Sequence, residues 1–545
     1  MNHSAIRIAL LLAAFSAAVP TRAGEPLLPA DRSIGDVVDH YLDAKLQKEK
    51  VEPAPAADEL TMARRLYLDL AGRIPTAAEA KQYAASTDPK KRLQLIDDLI
   101  DSVGFVHHNA NEFDRVLVNE NSNSPNMRPY LLAAFTEKRS WDRMFREMLG
   151  LNTDQAKSNP TKPQEFVRSR LGDQDLLTRD VSSIFFGLNI SCAQCHKHPE
   201  ISALTQDYFF GMKAFFGRTH DFQGHLIEKH AALPVSFTAK NGKTLPVVPM
   251  FLSGEKVELP KIPEDQAKKA VAEESKRLGE LSKDFAKTKK LPPPAELNLR
   301  QRLADLALSD ANRDRFAKAI VNRLFHRFYG RGLVMRLDAM HAENPASHPE
   351  LLAWLSRDFI AHDYDLVRLI RGLVSSRAYA RSSRWEGKSA PAPELFAVAA
   401  IRPLTRQQWG VSHQMVSDPA KISGKERPEV RQQLEAFVMG PKNNFTLIEQ
   451  PRDDLQIGVS ESLKLSNSPL LVKATGDKLA IALAKLPSRT QQIEEATWTV
   501  WSRPPTAKET ELMSAYLEQR QSSPVEGVQQ LIWALVNSPE FRFNH

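Results

Sequence analysis

The sequence predicts a mainly α protein: two helical domains with a small β-rich insertion and a charged helical connector between them. Three features predict it. Apolar residues recur at helical spacing along most of the 545 residues. Val-, Pro- and Thr-rich extended runs are confined to one stretch, Leu233 to Pro260. Helix-start signatures of the form Ser/Thr-x-x-Glu recur, separated by Gly and Pro punctuation.

The chain opens with Arg7, a short apolar run from Ile8 to Val19, and Thr21-Arg22-Ala23, a small-x-small pattern. That run is too short to span a bilayer, so residues 1–23 read as a cleaved signal peptide and the protein as periplasmic or secreted. Residues 24–50 form a linker and a first amphipathic helix (Ile34, Val37, Val38, Tyr41, Leu42). Residues 51–232 form the first helical domain. A Pro/Ala-rich break at Glu52 to Asp58 precedes a helix from Leu60 to Ala71. Gly72-Arg73-Ile74-Pro75 stops it, and Thr76 with Glu79 makes a capping box for the next helix. The same corner recurs at Arg503-Pro504-Pro505-Thr506-Ala507-Lys508-Glu509, which reads as an equivalent structural corner. Further helices are expected at Arg92 to Leu99, Tyr130 to Phe135, Trp141 to Leu149, Leu177 to Gly187 and Leu204 to Phe216. Residues 233–296 hold the β insertion, with Asn241-Gly242 as a hairpin turn, and a charged helix from Pro263 to Lys290 closed by Pro292-Pro293-Pro294. Residues 297–545 form the second helical domain: Phe316 to Phe328, a turn at Tyr329 to Gly332, a helix capped by Ser347 with Glu350, Leu366 to Ser376, and a helical tail from Thr490.

The formal charge is +7. Arg7 and Arg22 leave with the signal, so the mature chain carries about +5, spread over mixed acidic and basic surface. No basic block interleaved with aromatics appears, which argues against nucleic acid. No later run of about 18 apolar residues appears, which argues against an integral membrane segment in the mature chain.

The chain has two cysteines, three residues apart. An exported protein of this size that relied on disulfides would spread more of them along its length. The pair therefore marks selected chemistry. Cys192-Ala193-Gln194-Cys195-His196 fits covalent c-type haem attachment: two thiols for the two vinyl groups, then His196 as proximal iron ligand. Other chemistries also use this spacing. A redox dithiol belongs in a βαβ setting that is absent here. Zinc would need Cys192, Cys195 and either His196 or His198, with adjacent positions awkward as ligands. A disulfide would close only a tiny loop. Haem c is the favoured cofactor. Met212, on the following aromatic helix, is the candidate distal ligand, with His220, His225 and His230 beyond it, while His198 is placed to orient the motif. Arg331, Asp338, His341, Asn344 and His348 form a polar loop that reads either as a site or as turn and cap chemistry. His107-His108 near Asp114 is a further metal or haem candidate. A hydrolase finds no nucleophile elbow and no clear acid pair.

These residues carry a resemblance. Arg65-Leu66-Tyr67-Leu68-Asp69-Leu70, Gly72-Arg73-Ile74-Pro75-Thr76, Cys192 to Pro199 and Gln206-Asp207-Tyr208-Phe209 resemble the planctomycete-type cytochrome-like secreted domain. The second half is similar to the C-terminal partner domain of unknown function, through Asn322-Arg323-Leu324-Phe325, Gly330 to Val334, Asn344-Pro345, Ser347 to Leu352, Ser376 to Tyr379, Asn467-Ser468-Pro469 and Asn537 to Phe541. The resemblance implies a secreted protein with a cytochrome-like motif. The chain departs from the usual pattern at Pro199-Glu200-Ile201-Ser202-Ala203-Leu204, where an aromatic or Asp-rich stretch is common. Two functions are thus expected as alternatives. One is an exported haem-binding protein in electron transfer or haem-dependent redox work, with a periplasmic redox partner or a secreted enzyme system. The other is a secreted non-haem interaction or scaffold module whose motif binds metal or forms a disulfide.

Overall fold

The computed structural model describes residues 27–118, 126–151, 162–232, 235–238, 242–259, 263–422, 426–439 and 476–545. The signal segment, Asn241 and Asn467-Ser468-Pro469 lie outside the described residues. The fold is mainly α, and among the described residues the strands make only two-stranded antiparallel sheets.

Two hydrophobic cores account for most buried apolar side chains. The larger one draws on both halves of the sequence. Its centre is an aromatic cluster: Phe145 lies 4.6 Å from Phe185 and 5.1 Å from Phe316, and Trp141 lies 5.4 Å from Phe185, centroid to centroid. Each such pair adds about 0.5–1.5 kcal/mol beyond its buried area. Helix Arg313–Tyr329 buries Phe316, Ile320 and Leu324 on one side and Val321, Phe325 and Phe328 on another. A helix apolar on so wide an arc must sit inside a core, and this one packs against Gln174–Phe186 and Pro349–Ala361. The division expected after residue 296 therefore does not coincide with a division of the cores: residues 299–396 complete the core begun at Ile34. The second core is built from Leu404 to Phe541, with Leu68 and Ile74 inserted from the N-terminal side.

Those two residues flank the first of the repeated corners. Gly72 and Ser502 both end their helices with φ of 65°. The arginine that follows each then grips the capping glutamate with both guanidinium nitrogens: Arg73 on Glu79 at 2.8 and 2.8 Å, Arg503 on Glu509 at 2.9 and 2.8 Å. Both capping boxes are complete, on Thr76 and Thr506. The corners also pack together, because buried Arg64 donates to the carbonyls of Val500, Glu540 and Phe541 and to Ser502 Oγ. They differ in one respect. A Cβ on Gly72 would stand 2.5 Å from His108 Nδ1. Gly72→Ser should therefore cost about 3 kcal/mol, the left-handed penalty plus overpacking. A urea-unfolding midpoint unchanged by this substitution would refute that reading, since serine is already accommodated at the sister position.

Several expected elements differ in detail. The helix from Leu60 runs as Glu59–Leu66 and then widens into a π turn, Tyr67–Ala71. Ser347 is not the N-cap of the helix Pro349–Ala361. His348 takes that position without a side-chain cap, and Ser347 Oγ bonds the His348 ring at 3.1 Å instead. The hairpin Ser236–Thr238 with Thr244–Pro246 falls in the expected insertion, but a second one, Thr219–Phe222 with His225–Glu228, precedes it. The charged connector is the helix Glu264–Thr288, which rests Phe285 on Phe222 of that earlier hairpin at 5.7 Å. No described helix is long and apolar enough to cross a membrane.

Candidate functional site

Helix Gln174–Phe186 ends on Gly187 in the left-handed conformation (φ 61°). A Cβ there would meet Met340 Sδ at 2.4 Å, so a residue without a side chain lets the second half come this close. The chain then runs beside the loop of the second half: Met340 donates to the Gly187 carbonyl at 2.9 Å and Asn189 to the Asp338 carbonyl at 2.7 Å. Asn189 does double duty. Its Oδ1 accepts from Ser191 N at 3.0 Å and from Ser191 Oγ at 2.7 Å, while its amide donates to Asp338 Oδ2 at 3.1 Å. That starts the short 3-10 turn Ser191–Gln194, which carries Cys192.

Cys192 and Cys195 are both exposed and neither is bonded to another cysteine. Only Ala193 of the turn is buried. Gln194 ties the turn down, donating to Asp175 Oδ2 at 2.9 Å and accepting at its carbonyl from Gln206 at 3.0 Å. His196 is exposed, and its Nδ1 lies 2.6 Å from the Lys197 carbonyl. A carbonyl oxygen only accepts, so Nδ1 carries a proton, and the neutral form of the ring has its lone pair on Nε2.

His198 has a different task. It is buried, its Nδ1 accepts from the backbone amides of Glu200 and Ile201 at 3.2 and 3.1 Å, and its own amide donates to the Leu204 carbonyl at 2.9 Å. It thus folds the run that follows the cysteines back on itself. Burial, then the His341 and Arg336 charges, depress its pKa against the opposing pull of Glu200, which favours the neutral ring this bonding needs.

Met212 is fully buried within the larger core, on the helix Gln206–Ala214 that packs against the cysteine turn. The contacts of His220, His225 and His230 run elsewhere: His220 pairs with Ile227 in the hairpin, His225 meets Phe285, and His230 N donates to Glu274. The polar loop of the second half divides its labour. Asn344 braces the loop by donating to the Met335 and Ala339 carbonyls, each at 2.8 Å. His348 is buried against Phe396, and burial, then Lys45, lowers its pKa to about 3. His341 lies between Glu343 (3.2 Å) and Glu200 (3.7 Å), and Glu200 also pairs with Arg336 at 2.7 Å. The loop therefore clamps the segment just after the cysteines. His107 bonds Glu435 at 3.0 Å, and His108 is buried, its pKa lowered to about 3 by burial and then by Arg327. Both lie at the joint between the cores. Among the described residues, no group of three or more His, Cys, Asp or Glu side chains is arranged to hold a metal ion.

The Asx turn at Asn189 was missed from the sequence, although Asn two residues before a serine amide favours one. Its partner Asp338 lies 149 residues away, and nothing local announces that pairing.

Residues 37–221 match the family model PSCyt2, a protein of unknown function (DUF1549), and residues 299–444 match PSD1, a protein of unknown function (DUF1553). The two stand in tandem, the cysteine turn inside the first match and the clamping loop inside the second. No curated protein and no solved structure matches the chain.

Proposed function

We propose that this chain is an exported carrier of covalently bound haem c, serving electron transfer or haem-dependent redox chemistry. One observation carries the reading. The imidazole of His196 is held with Nδ1–H on the Lys197 carbonyl, which keeps Nε2 as the nitrogen available to a metal, and two unpaired, exposed thiols precede it in the chain. That is the donor set a c-type haem takes: a neutral imidazole, oriented and made more basic by a hydrogen bond on its other nitrogen. Cys192 and Cys195 would hold the ring edge as thioethers and His196 would supply the proximal nitrogen. The group, when bound, supplies one-electron chemistry. The protein's own part is positional. Asn189 and His198 fix the two arms of the turn, Gln194 ties it to Asp175, and the second half clamps it through Glu200. A turn at the surface would let a bound haem exchange electrons with a redox partner.

The test is direct. The full-length chain, with its own N-terminal segment, is expressed in a host that matures c-type cytochromes. Denaturing electrophoresis with haem stain should give a band, and a pyridine haemochrome spectrum should show thioether-linked haem. Cys192→Ala with Cys195→Ala should abolish the band while the far-UV circular dichroism stays helical. A folded wild-type protein without covalent haem would rule the proposal out and favour the scaffold alternative.

A further inference from the structure

On helix Arg313–Tyr329, Arg323, His326 and Arg327 lie at spacings that place them on one face, and Arg331 follows just past the Gly330 turn. Helix Val103–Leu117 lies across from them. Arg327 donates to Asn109 Oδ1 at 2.7 Å and to the Asp69 carbonyl at 3.1 Å, and Arg115 pairs with Glu112 at 2.8 Å. Arg402 enters from a third side and donates to the Arg327 carbonyl at 2.6 Å. His326 sits among them. Burial first, then the charges of Arg115, Arg402, Arg323 and Arg331, lower its pKa to about 4.

The charges in this cluster do not balance: Arg115, Arg323, Arg327, Arg331 and Arg402 face the carboxylates of Glu112, Asp69 and Asp338. Glu112 is engaged by Arg115, Asp69 by Arg402, Tyr379 and Asn544, and Asp338 by Asn189. Arg327 donates only to neutral oxygens. Arg323 makes one bond, to the Ser183 carbonyl at 2.8 Å, and its buried Nε has no acceptor. The side chains of Arg331 and His326 have no hydrogen-bond partner among the described residues. A buried guanidinium nitrogen without an acceptor is costly, and like charges crowded in a low dielectric repel. An anion held here would offset both costs.

We propose that Arg323 and Arg331, with Arg327 and His326 beside them, form a binding site for a tetrahedral oxyanion, phosphate or sulfate, free or as an ester. Guanidinium forks match the paired oxygens of such groups. The site is separate from the cysteine turn and needs no haem. It also gives Arg323 and Arg331, inside the second matched segment, an anionic partner that the surrounding protein groups do not supply.

The full chain is titrated calorimetrically with sodium phosphate and with sodium sulfate, sodium chloride holding the ionic strength constant. Glucose 6-phosphate and glucose 6-sulfate form two further arms and separate a free ion from an ester. At least one arm should show saturable binding. Arg331→Gln and Arg323→Gln should each weaken it about tenfold or more, the scale of one charged hydrogen bond. Arg331 makes no bond that folding depends on, so its variant reports on binding even where the Arg323 variant is unstable. Saturation should also raise the His326 pKa, read by NMR from its imidazole protons. Lys276→Gln with Lys283→Gln, on the exposed connector helix, should change nothing. No saturable binding in any arm overturns the proposal. So does binding that survives both arginine substitutions undiminished, which would mark general attraction of anions to the surface.

Discussion

Asp69→Ala should destabilise the protein by about 3–5 kcal/mol, the cost of removing one partner from a buried ionic network. Asp69 sits in the π turn that follows helix Glu59–Leu66 and is almost wholly buried. Its carboxylate accepts from Tyr379 OH at 2.7 Å, from both terminal nitrogens of Arg402 at 3.0 and 2.7 Å, and from Asn544 Nδ2 at 2.9 Å. The four residues come from the two ends and the middle of the chain. Without the carboxylate, the Tyr379 hydroxyl loses its acceptor and the Arg402 charge keeps only the Arg327 carbonyl inside the joint between the two cores. The C-terminal strand Phe543–Asn544, paired only with Arg402–Pro403, loses its anchor as well. Urea unfolding should show the lost stability, and carboxypeptidase should release the C-terminal residues faster. Asn544→Ala should reproduce the second effect with less of the first. A midpoint shift worth under about 1 kcal/mol would mean that Asp69 is a solvated side chain whose pairing contributes little.

The helical class was legible because its signal is local: spacing of apolar residues, caps and breakers. The repeated corner was legible for the same reason. Arg-x-Pro-Thr-x-x-Glu holds its capping box, its proline and its arginine within seven residues, and both copies formed as expected. Features that depend on distant partners were not legible. Helix Arg313–Tyr329 carries the same apolar period whether it starts a new domain or completes an old one. Only its unusually wide apolar arc hints that it is central. The early hairpin was missed because its turn is Gln223-Gly224, with φ of 54° and 84°. That conformation is usually announced by Asn-Gly or Asp-Gly, and a glutamine there gives no warning. Ser347 was misread because Ser-x-Pro-Glu favours a cap locally, whereas the His348 ring beside it offers the hydroxyl a buried partner. At the cysteine turn the residue types were legible and their restraint was not. The Lys197 carbonyl that sets the His196 tautomer is a backbone group, and the loop that clamps Glu200 lies more than a hundred residues away.

Glu435→Gln should cost a similar amount to Asp69→Ala, and its cost should depend on pH. Glu435 lies on helix Pro428–Met439 with its side chain 2% exposed. It accepts from Arg431 at 2.9 Å, from Asn111 at 3.1 Å and from Arg128, and it bonds His107 at 3.0 Å. Burial alone would push its pKa up. The His107 hydrogen bond and the charges of Arg431 and Arg128 outweigh burial and hold it at about 2. A carboxyl whose pKa is lower in the folded chain than in the unfolded one binds fewer protons when folded. Its contribution is therefore complete above its ordinary value near 4.5 and is lost as pH falls from there through about 2. The shift corresponds to about 3 kcal/mol. Unfolding free energies at pH 7 should then differ between wild type and Glu435→Gln by about 3 kcal/mol or more, since the variant also leaves Arg128 short of its anion and Arg431 with Glu426 alone inside the joint. At pH 2.5 the difference should shrink to about 1 kcal/mol, because wild type has by then given up most of the same contribution. A difference that stayed constant across this range would assign the cost to lost packing. Collapse of the difference on acidification assigns it to the charge, and so to the ionic joint that holds helix Pro428–Met439 of the second half against helix Val103–Leu117 of the first.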